Sequence, residues 1–575
     1  MYDNLENIKM TIEILKNHNI KDIVISPGGT NAKFISMIQN DVFFNCYSVV
    51  DERSAAYFAI GIYLQKRVPV CLLCTSAQAT RNYLPGLTEA YYKKTPILAI
   101  TMEKHPRFKY QGYMQAPDQT SLPNDSVKKS FELPFIRDIN DVYHSRRLIN
   151  EAILELTRNG NGPVQLCIPW LDFKINDIYP SILSIQRYKS LKGINLLNKK
   201  ILIVIGEHPK FSYELKQAID NFCDNTNSVI YTNHLSNFMN NYSINGNFLL
   251  SCINDKDFDI VKPDIVISIG GQTGDYPLYT RLSKTEYNFE NWIVTENGKI
   301  QDTYDKLSKI FECSEIEFFS SFEGISTVHT YYEEWNKLNI ELNKNIEVPF
   351  SNVSIAHYLH DKIPKNSVIQ FSILNSLRIW NLFELDNNIE CYSNVGAFGI
   401  DGGMSTLIGQ SVATDKLCFM IIGDLAFFYD MNILGNRHIK SNLRILLINN
   451  DGGIEFKLHG ENKNLVDKFI AAEGHYKNAE GWANSCDFKY IKADSMDEFK
   501  EGVDDFIGES DKPIVFEAFV KDLDEALAYK ILIENNRKHT NNEKIKNMVK
   551  STIKGTIGEN NFNKLKNKLR KENYD

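Results

Sequence analysis

What most constrains this chain is a recurring alternation of short, fully apolar runs with stretches of helical spacing, the runs ending in Gly, Pro, Asp or Asn. Strands covered on both faces read as continuous apolar runs, because both rows of side chains point into protein. In the first third such runs fall at 22–26, 43–50, 68–74, 96–101 and 164–168, with helical spacing at 8–17, 31–39 and 54–65. A polar stretch at 174–199 precedes a second series at 201–205, 229–232, 264–269 and 292–295. A third series begins after residue 345, with runs at 368–371, 417–422, 443–448 and 513–519. The chain has 575 residues, too many for one core. The expected architecture is α/β: three consecutive doubly wound domains with mostly parallel sheets, at 1–185, 186–345 and 346–525. The Lys/Asn/Glu-rich remainder, 526–575, reads as a helical or partly disordered tail.

Charge and composition narrow the partners. A net charge of −8 and a pI near 5.9 offer no basic field for nucleic acid or an anionic membrane. No run approaches the roughly 20 apolar residues that span a bilayer, and the first residues lack the pattern of a signal peptide. A cytoplasmic enzyme acting on small molecules is the expectation. The ten cysteines are scattered. Cys71 and Cys74 have redox or zinc spacing, but they sit inside an apolar run. A redox pair belongs at a helix N-terminus and zinc needs a second pair, so both read as core residues.

Open parallel sheets bind ligands beyond the carboxyl ends of their strands. Two such ends stand out in the third series: Ile422-Gly423-Asp424 and Asn449-Asn450-Asp451-Gly452-Gly453. On adjacent strands they would present the Asp424 carboxylate, the Asn450 amide oxygen and the Gly452 carbonyl as three hard ligands, a set suited to magnesium. A helix starting near Ala426 would aim its N-terminus at a phosphate. Two polar strand-end loops are the plainer reading. Near the N-terminus, Asp51-Glu52 closes an apolar run before a helix expected near Ser54. There Glu52 is either a favourable first-turn charge or a desolvated carboxyl with a raised pKa.

In this order and at this separation, the two segments resemble thiamine diphosphate-dependent enzymes, whose motif is Gly-Asp-Gly followed by Asn-Asn. Leu425 departs from the motif's second glycine. The resemblance implies that Asp424, Asn450 and Gly452 hold Mg2+, with Gly29, Gly423, Leu425, Gly453 and Ile454 also near the cofactor. Glu52 would hydrogen-bond a pyrimidine nitrogen, so that the aminopyrimidine can take a proton from the thiazolium carbon. Ile400, in Gly399-Ile400-Asp401-Gly402, would prop the bent cofactor or simply fill the core. The first, pyrimidine-binding domain of one subunit would face the third, diphosphate-binding domain of another, which implies a homodimer or a dimer of dimers. The Rossmann-like central domain carries Gly270-Gly271-Gln272-Thr273-Gly274, which is not a dinucleotide fingerprint. FAD is not expected there.

Within the superfamily, the chain is most similar to the 2-succinyl-5-enolpyruvyl-6-hydroxy-3-cyclohexene-1-carboxylate synthases of menaquinone biosynthesis. It shares Ile25-Ser26-Pro27-Gly28, Asp51-Glu52-Arg53-Ser54-Ala55, Cys74-Thr75-Ser76 and the run from Ile422 to Asn432, Leu425 included. The substrate side departs. Where those enzymes have arginines, this chain has Gly29-Thr30-Asn31, Val395 and Glu103-Lys104-His105-Pro106, and losing guanidinium forks is not conservative for dicarboxylates. Pro27-Gly28-Gly29 instead resembles acetohydroxyacid synthases. Gln119 would face the reactive carbon beside Glu52, or be a loop amide. Thr30, Asn31, Ser76, Lys104, His105 and Phe456 are the candidate substrate contacts. The implied activity is decarboxylation of a 2-oxo acid donor and transfer of the acyl-anion equivalent to an acceptor. A simple 2-oxo acid decarboxylase, an acetohydroxyacid synthase-like enzyme and a non-catalytic cofactor-binding protein are the alternatives.

Overall fold

The computed structural model describes residues 5–170, 185–322, 330–455, 469–475 and 477–537. Three parallel sheets follow one another along the chain. The first contains β1 (Asp22–Ile25), β2 (Asn45–Ser48), β3 (Val70–Cys74), β4 (Ile97–Lys104), β5 (Ser130–Glu132) and β6 (Val164–Trp170). Its order is β2-β1-β3-β4-β6-β5. The second contains β7 (Gln186–Tyr188), β8 (Ile201–Ile205), β9 (Ser228–Thr232), β10 (Ser243–Asn245), β11 (Ile265–Ile269), β12 (Glu290–Val294) and β13 (Leu307–Phe311). They are ordered β10-β9-β8-β11-β12-β13-β7. The third contains β14 (Val368–Phe371), β15 (Glu390–Ser393), β16 (Cys418–Gly423), β17 (Leu443–Asn449), β18 (Lys489–Ala493) and β19 (Ile514–Phe519), ordered β15-β14-β16-β17-β19-β18. First and third sheets therefore share one strand order.

The α/β class with mostly parallel sheets is as the sequence implies, and the apolar runs are the inner strands. β3, β4, β6, β8 and β17 are buried along essentially their whole length, with helices covering both faces. Cys71 and Cys74 are fully buried on β3. Two helices start earlier than expected. Asp51 accepts the Ser54 amide as N-cap, so Glu52 rather than Ser54 opens the helix Glu52–Lys66. Gly423 caps the helix Asp424–Tyr429, which begins at Asp424 and not near Ala426.

Residues 526–536 complete the helix Asp522–Asn536, whose Ala528 and Leu532 pack into the third unit's core. Residues 538–575 lie outside the described residues. The units are joined by polar contacts. His234 Nε2 lies 2.7 Å from the Trp380 carbonyl, and Asn237 exchanges two hydrogen bonds with the Cys391 backbone. Among the described residues no helix is long and apolar enough to cross a membrane.

Candidate active site

β16 and β17 run side by side with Gly423 opposite Ile448, so the loops that follow leave the same sheet edge together. Asp424 is 4% exposed. Its carboxylate accepts the Leu425 amide at 2.7 Å and the Gly452 amide at 3.0 Å. Burial outweighs these bonds and pushes its pKa up to about 7. Asn450 Oδ1 is buried beside it without a hydrogen-bond partner. The close turn needs glycine, since a Cβ on Gly452 would lie 2.8 Å from the Ala471 carbonyl oxygen.

A desolvated carboxylate and an orphaned amide oxygen on one loop pair are what a small hard cation would satisfy. Among the described residues there is no cluster of three His, Cys, Asp or Glu side chains.

These loops open onto a cavity of about 100 Å³ lined by Ile400, Gly423, Asp424, Leu425, Asn450, Gly452, Gly453 and Ile454. Eight residues proposed from sequence thus share one wall system. Residues 372–376 line the same cavity and were not singled out in the sequence, although they follow β14, the parallel neighbour of β16. Leu374 there has φ 62° and ψ −124°, a strained conformation for a branched residue. Glu455 and Glu525 also line the cavity. Glu525 is 3% exposed, accepts the Asn352 amide at 2.7 Å, and is pushed up to about 7 by burial. Arg378 holds Glu455 at 2.6 Å. Phe456 lies outside the described residues.

Glu52 does not line this cavity. It is 5% exposed at the carboxyl edge of the first sheet, where Tyr429 donates a 2.5 Å hydrogen bond to its Oε2. Asn82 in turn donates to the Tyr429 hydroxyl at 2.8 Å. Burial raises the Glu52 pKa to about 7; the Tyr429 bond opposes the rise, and the nearby charges of Asp401 and Asp51 add to it. Tyr429 ends the helix that Asp424 begins. One short helix therefore connects the acid to the loop pair.

Residues 8–122 match the family described as "Thiamine pyrophosphate enzyme, N-terminal TPP binding domain". Over 555 residues the chain is 32% identical to the 2-succinyl-5-enolpyruvyl-6-hydroxy-3-cyclohexene-1-carboxylate synthase of Phocaeicola vulgatus, covering 90% of this chain and 96% of that one. It is 31% identical to the synthase of the same name from Bacteroides fragilis, covering 90% and 97%. The Flavobacterium johnsoniae synthase is 28% identical, again over 90% and 97%. The chain belongs to this synthase family. It is a thiamine diphosphate-dependent enzyme of the synthase type.

Against that family membership, the remaining predicted residues gather around the first sheet's carboxyl edge, and most are engaged with their own backbone. Thr30 Oγ1 meets Thr75 Oγ1 at 2.8 Å and accepts the Ser76 amide. Asn31 accepts from Gly28 N and donates to the Ser26 carbonyl. Gln119 is 2% exposed and spent at both ends, accepting Ala77 N and donating to the Met102 carbonyl, each at 2.8 Å. Gly29 faces open space, and Ser76 Oγ is buried without a partner.

His105 is held below its ordinary pKa by burial and by Arg107 and Arg137, and so is neutral at pH 7. Lys104 is partly exposed at the end of β4, and Val395 is fully buried. Glu103 is 1% exposed with Lys109 at 3.3 Å, and burial pushes it to about 7.

Proposed function

We propose that this enzyme decarboxylates a 2-oxo acid and transfers the resulting acyl-anion equivalent to a small acceptor, with Mg2+ holding the cofactor's diphosphate. The observation that carries the reading is the buried, unpartnered Asn450 Oδ1 beside Asp424 at a cavity walled by the expected cofactor residues. Bound thiamine diphosphate supplies the electron sink for the carbanion left when carbon dioxide departs.

The chain's own residues do the rest. Asp424, Asn450 and the Gly452 carbonyl would hold the cation. Ile400, on the cavity wall, would support the bound cofactor. Glu52, kept protonated near neutrality by burial, is poised to share its proton with a ring nitrogen. Because Glu52 lies outside the cavity that Asp424 lines, the reading assigns it to the cofactor of a partner subunit in a homodimer or dimer of dimers.

A second reading is simple decarboxylation. It is favoured by the neutral His105, the buried Val395 and the self-engaged Thr30 and Asn31, none of which offers an acceptor carboxylate a cation. One assay separates the two: purified protein with Mg2+, thiamine diphosphate and a panel of labelled 2-oxo acids, with and without acceptors bearing a carbonyl or conjugated alkene. The proposal predicts carbon dioxide release that requires the cofactor, and a ligated product when an acceptor is present. Aldehyde alone would favour the second reading. No carbon dioxide from any 2-oxo acid would reject both.

A further inference from the structure

Glu517, on β19, is the most deeply buried acid among the described residues, and the reading of the reaction gives it no role. Register explains what it meets. It stands opposite Leu447 on β17 and Lys492 on β18, so Asn449 and Tyr490, two residues away on those strands, share its face of the sheet. Its Oε1 accepts the Asn449 Nδ2 at 2.7 Å. Its Oε2 accepts the Ala479 N–H at 2.9 Å and the Tyr490 hydroxyl at 2.7 Å. Its same-face neighbours Leu447 and Val515 belong to a buried apolar cluster. Among the described residues no Lys, Arg or His pairs with it. A carboxyl group in such a place is costly unless its hydrogen bonds are made, and these three tie β17, β18 and the start of the helix Glu480–Ser485 to one point.

The bond to Asn449 reaches the cation loop. Both oxygens of Glu517 accept, so Asn449 must turn its NH2 group inward and its Oδ1 outward. That outward oxygen accepts the Asp451 N–H at 3.3 Å. The next amide, Gly452 N–H, goes to Asp424 Oδ2 at 3.0 Å. Successive amides of the turn are thus held from two sides, by Asp424 directly and by Glu517 through Asn449. Asp451 is kept at φ 60°, a left-handed conformation that few residues other than glycine adopt. Loss of either anchor lets such a turn relax.

We propose that Glu517 is a positioning residue for the cation site, setting through Asn449 the turn that presents Asn450 Oδ1 and the Gly452 carbonyl. The inference rests on the reading of this loop pair as the place where Mg2+ binds. Groups that orient metal ligands without touching the ion typically govern about 10–100-fold of metal affinity. Glu517 suits that task because it stands on an inner strand and is fixed by three donors from three separate segments.

The test is calorimetric titration of Mg2+ into the full-length protein in the presence of thiamine diphosphate, which needs no turnover. Glu517→Gln must turn an NH2 group toward either Asn449 or the Ala479 N–H. The backbone cannot reverse its bond, so Asn449 flips and sets its own NH2 against the Asp451 N–H. Mg2+ affinity should fall about tenfold or more. Adding Asn449→Asp to Glu517→Gln exchanges acid and amide across the same hydrogen bond and should restore the affinity. Tyr490→Phe removes a bond to Glu517 without touching Asn449, and should leave Mg2+ affinity at the wild-type value whatever it does to the thermal midpoint. If Glu517→Gln does not fold, Asn449→Ala cuts the link from the loop side and should weaken Mg2+ binding about tenfold. Wild-type affinity in Glu517→Gln or Asn449→Ala, an equal loss in Tyr490→Phe, or no recovery in the double variant would overturn the inference. Wild-type protein that binds thiamine diphosphate without any dependence on Mg2+ would instead overturn the reading of the loops as a cation site, and the inference with it.

Discussion

At the residue scale, the candidate chemistry rests on carboxyl groups that the fold makes hard to ionise. Glu52 has a folded pKa of about 7 against an ordinary 4.5. Below pH 4.5 both folded and unfolded chains hold its proton. Between 4.5 and 7 the unfolded chain ionises while the folded one does not, so stability falls as pH rises through this window and levels off above 7. A displacement of this size corresponds to about 3 kcal/mol. Glu52→Gln keeps an acceptor for Tyr429 and removes the charge. It should abolish turnover, yet raise the thermal midpoint of cofactor-free protein at pH 8 and leave it unchanged near pH 4.5. A variant with the wild-type midpoint at pH 8 would show that Glu52 ionises in the fold without penalty. A raised midpoint at pH 8 would mean that activity is held at a stability cost that substitution relieves.

At the element scale, the loop after β17 is the part least tolerant of change. Gly452 sits 2.8 Å, at its virtual Cβ, from the Ala471 carbonyl and 3.1 Å from Glu473 Cγ. Gly452→Ala should displace the carbonyl proposed as a cation ligand and weaken Mg2+-dependent cofactor binding at least tenfold, with the far-ultraviolet circular dichroism unchanged. Wild-type Mg2+ affinity in that variant would remove this loop from the cation site.

The same scale explains which strands the sequence made readable. Continuous apolar runs mark strands buried on both faces, and β3, β4, β8, β16 and β17 were legible for that reason. β5, β7, β10, β15 and β18 stand at sheet edges, short or half exposed, and carry residues such as Glu132, Arg187, Glu390 and Lys492. They produce no such run. β13, Leu-Ser-Lys-Ile-Phe, is an inner strand hidden by two polar residues with partly exposed side chains. Helix starts were misplaced where an acidic residue at the strand end is already the first helical residue, as with Glu52 after its Asp51 cap and Asp424 after Gly423.

At the scale of the molecule, the first and third units repeat one strand order, each with candidate site residues at a carboxyl edge. The third unit's half of the candidate site was largely legible, because Gly423-Asp424 and Asn449-Asn450-Asp451-Gly452 punctuate apolar runs on neighbouring strands. The wall at 372–376 was not, since Ser-Ile-Leu-Asn-Ser holds no chemical signature and its strained Leu374 appears only in the fold. Nor could spacing show that Gln119 and Asn31 spend their amides on backbone.

The central claim is that one site combines Glu52 of one subunit with the Asp424 loop of another. Hybrid dimers test it most directly: Glu52→Gln and Asp424→Asn chains, co-expressed with different affinity tags and purified for both. If sites are shared between subunits, one of the two in each hybrid regains a native Glu52 and a native Asp424, so the hybrid should show about half the wild-type rate although both parent homodimers are inactive. A hybrid as inactive as its parents would contradict the account, because every site would then be assembled within a single chain.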